Sequence, residues 1–244
     1  MHRIMLQSPL ATDSPDGSVI EITGDEAHHA ARVKRVEPGH PLELLDGHGA
    51  VASAEVAEII KLGKKAGWAL HARVLTVERS PERTPRLTVY AAAPKGPRLE
   101  TMIDQLSQVG VAAWAPLHCT RSVVDPRAGK LDRLSRVTLE AAKQSGRAWA
   151  MTVERGASFR DAIGEDVIIA DASGEPYQPT GVDDLTLLVG PEGGWTDAEL
   201  DQAHAAGATV AGFGRHVMRI ETAAVVAAGI VLSAEDHLRT KGTA

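Results

Sequence analysis

One cysteine in 244 residues, Cys119, leaves nothing for an intramolecular disulfide framework and cannot furnish a cysteine-based zinc cage, so a reducing compartment, the cytoplasm, is the expected setting. Aromatic residues are as scarce: two Phe, two Tyr and four Trp, too few for broad stacking on single-stranded nucleic acid. Long apolar runs are missing too. The most apolar stretch, 223–232, is ten residues, about half of the roughly 20 a membrane helix needs, and the opening MHRIMLQSPL has no signal-peptide core. There is no G-x-x-x-x-G-K-[ST] loop, no G-x-G-x-x-G fingerprint and no G-x-S-x-G elbow, so ATP, NAD and esterase chemistries lose support. His28 and His29 are adjacent, and helix neighbours point about 100° apart, which makes them poor joint ligands; no metal site is expected.

What is present is unevenly charged. The net charge is −6. Residues 1–78 hold 8 Lys+Arg against 11 Asp+Glu, residues 79–150 hold 12 against 6, and residues 151–244 hold 6 against 15. A basic middle inside an acidic chain can attract phosphate locally, because screening over about 10 Å hides the distant acidic part. A solvated face would account for it equally well.

Up to residue 78 the pattern is strand-like with one short helix: Thr23 and Glu26 form a capping-box pair ahead of 27–33. VASAEVAEI and ALHARVLTV alternate as antiparallel strands joined by LGKKAG, which implies a small β-rich domain over residues 1–78. ERSPERTPR, with two prolines, reads as a linker (79–86). From residue 87 to 244 strands alternate with helices, the rhythm of an α/β domain with a mostly parallel sheet. Leu99, Met102, Ile103, Leu106 and Val109 share a helical face that Gly110 ends. The next helix turns Leu131, Leu134, Val137, Thr138 and Ala141 inward and places Arg133, Arg136, Lys143 and Arg147 near one outer stripe.

Three later strands run into loops rich in glycine and polar residues: VIIA before DASGEP, LTLLV before GPEGGW, and ATVAG before FGRHVMR. Ligands of open parallel sheets sit beyond the carboxyl ends of the strands, so these loops are the default site. Gly190, Gly193 and Gly194 can adopt positive φ and bring bare backbone against a ligand, Pro191 stiffens the bend, and Thr196 with Glu199 caps the following helix. A tight turn without a ligand would use the same residues. Glu221 suits the N-terminus of the apolar helix AAVVAAGIVL through the helix dipole alone, and that helix, apolar all round, is expected to be buried. Arg219, set between a glycine loop and a buried helix, calls for an anionic partner that a ligand or RNA could supply. Cys119, beside His118, reads as packed rather than nucleophilic.

LVGPEGGWTDAEL (188–200) followed by FGRHVMRIETAAVVA (213–227) resembles the paired C-terminal motifs of the RsmE-type 16S rRNA uridine-N3 methyltransferases of the SPOUT superfamily. The likeness extends through KGPRLETMIDQLSQVGV, TRSVV (120–124), EAAKQSGR (140–147) and HHAARVKRVEPG (28–39), and so covers nearly the whole chain. Gln144, Ser145, Gly146 and Arg147 stand where such proteins have them. Departures are QLSQVG at 105–110, Phe213-Gly214-Arg215, and Trp195 where Phe is usual.

The resemblance implies a PUA-like RNA-binding β-barrel domain before an α/β domain whose C-terminal segment forms a trefoil knot, a homodimer, and S-adenosyl-L-methionine (SAM) held in a bent shape. The cofactor would lie against Ala172, Ser173, Leu188, Gly190, Pro191, Glu192, Gly193, Gly194, Gly214, Val217, Met218, Ile220 and Thr222. It also implies methylation at N3 of a specific uridine of 16S rRNA in the small ribosomal subunit, with Arg219 and Glu221 as catalytic residues. RNA contacts are expected from Arg32, Lys34, Arg35, Arg121, Arg133, Arg136, Lys143, Gln144 and Arg147. Alternatives remain: an inactive RNA-binding assembly factor on the same fold, a SPOUT enzyme for another RNA, or a small-molecule α/β enzyme using the glycine loop for phosphate.

Overall fold

A computed structural model describes residues 1–11, 17–63 and 67–242. The chain divides into two compact units, Met1–Glu82 with Ala142–Ala150, and Arg83–Ala141 with Met151–Ala244.

The first unit contains β1 (His2–Met5), β2 (Val19–Ile22), α1 (Gly24–His28), β3 (Pro41–Leu45), β4 (Ala50–Gly63) and β5 (Gly67–Arg79), in a five-stranded sheet of order β1-β3-β4-β5-β2. Only β1 and β3 run parallel. Alternation along β4 buries Ala50, Ala52, Ala54 and Val56 against Leu42, Leu44, Leu70 and Val74. The connection LGKKAG lies partly outside the described residues.

The expected helix over 27–33 is altered in two ways. Thr23 makes no side-chain cap, and α1 stops at His28 in favour of a π-type turn over His29–Lys34, closed by Arg35 in the left-handed region at φ 52°. A capping-box pair marks only where a helix begins, so it does not register the wider winding of the turns that follow.

Residues 142–150 belong with this unit for a packing reason: Ala142 is buried beside Met5 and Leu45, Gly49 N–H donates to Ala148 O at 3.0 Å, and Trp149 Nε1 donates to Ser80 O at 2.9 Å.

The second unit comprises β6 (Arg86–Ala91), α2 (Arg98–Val109), β7 (Ala113–His118), α3 (Ala128–Ser145, whose last turn lies in the segment just described), β8 (Thr152–Val153), β9 (Ala157–Ser158), α4 (Phe159–Ala162), β10 (Val167–Pro176), β11 (Asp184–Val189), α5 (Asp197–Ala205), β12 (Thr209–Gly212) and α6 (Ile220–Gly242). Its seven strands pair in parallel in the order β12-β10-β11-β6-β7-β8, with β9 beside β7. Period-two alternation gives the sheet two buried faces. Leu87, Val89, Leu187 and Val189 pack with α2 and α6, while Ile169 and Leu188 pack with Phe159, Trp195 and Ala203.

Two expectations change here. α6 is not buried all round, since Ile230 is 40% exposed while Ala224, Ala227, Ala228 and Val231 are buried. α3 ends at Ser145, with Gly146 at φ 75°, so Arg147 lies past the helix and off the predicted stripe.

Candidate active site

The carboxyl ends of three neighbouring strands are level: Ala170 of β10 pairs with Val189 of β11, which pairs with Ala91 of β6. Three loops gather above this edge. The first is a bulge inside β10, whose register with β12 slips between Ala170 and Glu175 and throws Asp171–Gly174 outward. The Asp171 carboxylate accepts from Ser173 N–H at 2.9 Å and from Ser173 Oγ at 2.7 Å.

The second loop, after β11, is held from several sides. Gly194, alone of its three glycines in the positive region at φ 69°, donates its N–H to Pro191 O at 2.8 Å. Gly190 is required for closeness instead, because a Cβ there would lie 2.8 Å from the Trp195 ring. Trp195 Nε1 donates to Ala170 O at 3.1 Å, and Arg121 Nη1 donates to Gly193 O at 2.6 Å and Trp195 O at 3.0 Å. The expected capping box of Thr196 and Glu199 is present and starts α5. Glu199 is 5% exposed and also accepts from Thr120 N–H at 2.8 Å. Burial pushes its carboxyl up, yet the donors from Thr120 and Thr196 together hold it below its ordinary value.

The third loop, 213–219, leads from β12 at the sheet edge back to α6, which packs on α2, β6 and β11. A knotted C-terminal segment requires such a return path. Ala223 N–H donates to Arg219 O at 2.8 Å, the first turn of α6.

The three loops enclose a cavity of about 370 Å³. Of the anticipated cofactor residues, Ala172, Gly190, Pro191, Glu192, Gly193, Gly194, Gly214, Val217, Met218 and Ile220 line it. Leu188 is fully buried in the core beneath, Ser173 is turned to Asp171, and Thr222 faces solvent; none of the three is on the wall. Asp171, Trp195, Phe213 and His216 line it and were missed by sequence reasoning, although each sits within or beside a loop it had singled out. The wall is apolar with two carboxylates, Asp171 and Glu192, and carries no lysine or arginine.

Arg219 is exposed at the rim and has no carboxylate partner among the described residues. Glu221 behaves differently. Its side chain is 13% exposed, Oε1 lies 3.7 Å from Arg98 Nη1, and Oε2 is buried without a hydrogen-bond partner. Sequence reasoning gave Arg98 no role.

Among the expected RNA contacts, Arg32, Lys34 and Arg35 are exposed and form no ion pair among the described residues. Arg136 is likewise exposed, whereas Arg133 pairs with Glu100 at 2.9 Å and Lys143 with Glu26 at 2.6 Å. Arg121 is committed to the glycine loop. Gln144 is exposed and Arg147 half-buried. Cys119 is half-buried with Sγ 3.0 Å from Ser122 Oγ, and burial raises its thiol. Among the described residues no helix is long and apolar enough to cross a membrane, and no group of three or more His, Cys, Asp or Glu could hold a metal ion.

A parallel sheet with such a three-loop cavity, in a chain that also carries a small β-rich unit, is the architecture of an RNA methyltransferase with a PUA domain. The sequence pattern of the RNA methyltransferase domain family matches residues 81–232, and that of the RNA methyltransferase PUA domain matches residues 22–66. The chain belongs to the ribosomal RNA small subunit methyltransferase E family. The protein of that name from Mycobacterium tuberculosis is 34% identical over 89% of this chain and 87% of its own length, and that from Bacillus subtilis 28% identical over 92% and 93%. Among solved structures, a ribosomal RNA small subunit methyltransferase E from Neisseria gonorrhoeae bound to S-adenosyl methionine superposes with a TM-score of 0.79 at 25% identity, covering 98% of both chains.

Proposed function

We propose that this chain transfers the methyl group of S-adenosylmethionine to N3 of a uridine of 16S rRNA, within the small ribosomal subunit, acting in the cytoplasm as a homodimer. The observation that carries the reading is the three-loop cavity with Arg219 and Glu221 at the start of the helix that closes it. The cavity suits the cofactor: its volume falls in the roughly 300–1,000 Å³ of small-molecule pockets. Its wall offers apolar surface to an adenine ring, bare glycine backbone, and carboxylates rather than cations toward a sulfonium charge. Ala172, the 190–194 turn, Gly214, Val217, Met218 and Ile220 would hold it. When bound, it supplies an electrophilic methyl group.

The uracil N3 proton is weakly acidic and engaged in base pairs in a duplex, so the base must be presented unpaired. Arg219, exposed and without a carboxylate partner among the described residues, would stabilise negative charge developing on the uracil carbonyls, and Glu221 would orient the base or accept the N3 proton. Phosphate contacts are assigned to Arg32, Lys34 and Arg35 in the first unit and Arg136 in the second, with Arg121, Arg133, Lys143, Gln144 and Arg147 as further candidates.

The test is single-turnover transfer of labelled methyl to small subunits from cells lacking the gene, with the product mapped by mass spectrometry. Arg219→Ala is expected to slow transfer by roughly a hundredfold while cofactor binding persists. Label on a base other than uridine, or no transfer at all, overturns the assignment. A cofactor-binding protein inactive on every RNA would point to the assembly-factor alternative.

A further inference from the structure

Arg98 is the first residue of α2, after Pro97. A cation in the first helical turn opposes the helix dipole, so local helix stability does not explain it. Two carboxylates, one in a loop and one in another helix, do. Arg98 Nη1 lies 3.2 Å from Glu192 Oε1 in the glycine loop and 3.7 Å from Glu221 Oε1 in the first turn of α6. One guanidinium nitrogen therefore joins the cavity wall to the carboxylate beside the rim. The attachment also has a direction: it engages Oε1 of Glu221 and leaves Oε2 buried and unpartnered. Buried polar atoms in folded proteins have partners, and a lone carboxylate oxygen beside a ligand cavity is an acceptor awaiting a donor that arrives with a ligand.

We infer that Arg98 is a positioning residue: it fixes the rotamer of Glu221 so that Oε2 faces an N–H donor of the substrate base, and through Glu192 it ties that placement to the glycine loop. The inference rests on the proposed methyl transfer and adds how the carboxylate is aimed. Lysine could replace the charge but not the rigid planar guanidinium that holds Nη1 between the two carboxylates.

The test combines Arg98→Met, Arg98→Lys and Glu221→Gln, alone and together, in the full chain. Arg98→Met is expected to lower the single-turnover rate on small subunits on the order of tenfold, with SAM affinity by calorimetry changed by less than about threefold. In the Glu221→Gln background the same substitution should cost little more, because the group it positions is gone. Arg98→Lys should recover part of the rate. Equal loss in both backgrounds, or a loss confined to SAM affinity, overturns the positioning role. Hydrogen exchange reads the link without chemistry: in Arg98→Met, amides of both 190–195 and 219–223 should exchange faster, and a change in neither segment overturns it as well. Wild-type protein that transfers no methyl at all would remove the proposed reaction instead, an outcome distinct from a normal wild type with an unaffected Arg98→Met.

Discussion

The indole Nε1 of Trp195 donates to the carbonyl oxygen of Ala170 at 3.1 Å, so the glycine loop is tied to the first loop across the floor of the cavity. The same ring fills the space in front of Gly190, and it packs on Phe159 with ring centroids 5.3 Å apart. One side chain thus fixes the depth of the pocket and the course of two of its three walls.

Gly190→Ala tests that arrangement. Its Cβ would stand 2.8 Å from Trp195 Cε2, so the indole must shift and its bond to Ala170 must weaken. Cofactor affinity by calorimetry is expected to fall at least about tenfold, with the overall fold retained. Gly190→Ala combined with Trp195→Phe should bind better than Gly190→Ala alone, since the smaller ring returns space. An unchanged affinity in Gly190→Ala would show that the loop does not need this closeness.

How far such a site can be read from sequence depends on chain separation. The glycine turn, the Thr196–Glu199 cap and the start of α6 are local patterns, and the structure has them where residue spacing put them. Arg98 meets Glu192 from 94 residues away, and Arg121 meets Gly193 from 72. No periodicity encodes those encounters; they exist only because the parallel sheet brings β6, β7 and β11 side by side. The His29–Lys34 turn was missed for the opposite reason: it is local, but its wider winding leaves no distinct residue pattern. Arg147 was misplaced because a continued period hid the helix end at Gly146.

Charge pairing should separate two arginines that look equivalent in sequence. Arg136 carries no ion pair among the described residues, whereas Arg133 is held by Glu100, which also holds Lys130. If α3 lies along RNA, Arg136→Ala should reduce the dependence of log K on log salt by about one unit. Arg133→Ala should reduce it less, because Glu100 already offsets part of that charge. Equal slopes for both variants and wild type, measured by filter binding on small-subunit RNA over a salt series, would remove this helix from the RNA surface.

Glu235 of α6 is fully buried and accepts from Tyr177 Oη at 2.6 Å, Thr180 N–H at 2.7 Å and Gly181 N–H at 2.9 Å. Burial alone would raise its carboxyl; these donors hold it below its ordinary value instead. A depressed folded value contributes stability that is complete above the ordinary carboxylate range and is lost as pH falls through the folded value. Tyr177 is raised, first by burial and then by its bond to Glu235, so its contribution fades as pH rises past about 10, where an unfolded tyrosine ionises. Glu235→Gln is expected to cost about 1–3 kcal/mol near neutral pH and to flatten the acid limb of denaturant unfolding. An acid limb identical to wild type would show that other carboxylates set it.

Among the described residues of the first unit, His2 is the group most displaced from its usual behaviour, brought down from 6.5 to about 4 by burial first and then by the positive fields of His29, Lys34 and Lys143. Its Nε2 is buried without a partner, and its ring lies 5.8 Å from that of His29. A histidine held neutral in the folded state contributes stability above pH 6.5, and that contribution drains away as pH drops toward 4, because only the unfolded chain takes the proton in that window. The ring protons of His2 should therefore titrate by NMR with a midpoint near 4. Lys34→Gln removes one positive neighbour while leaving burial intact, so it should move the midpoint upward. A midpoint that stays put in Lys34→Gln would assign the whole displacement to burial and the remaining cations, and an ordinary midpoint in the wild type would mean that the ring is solvated rather than enclosed.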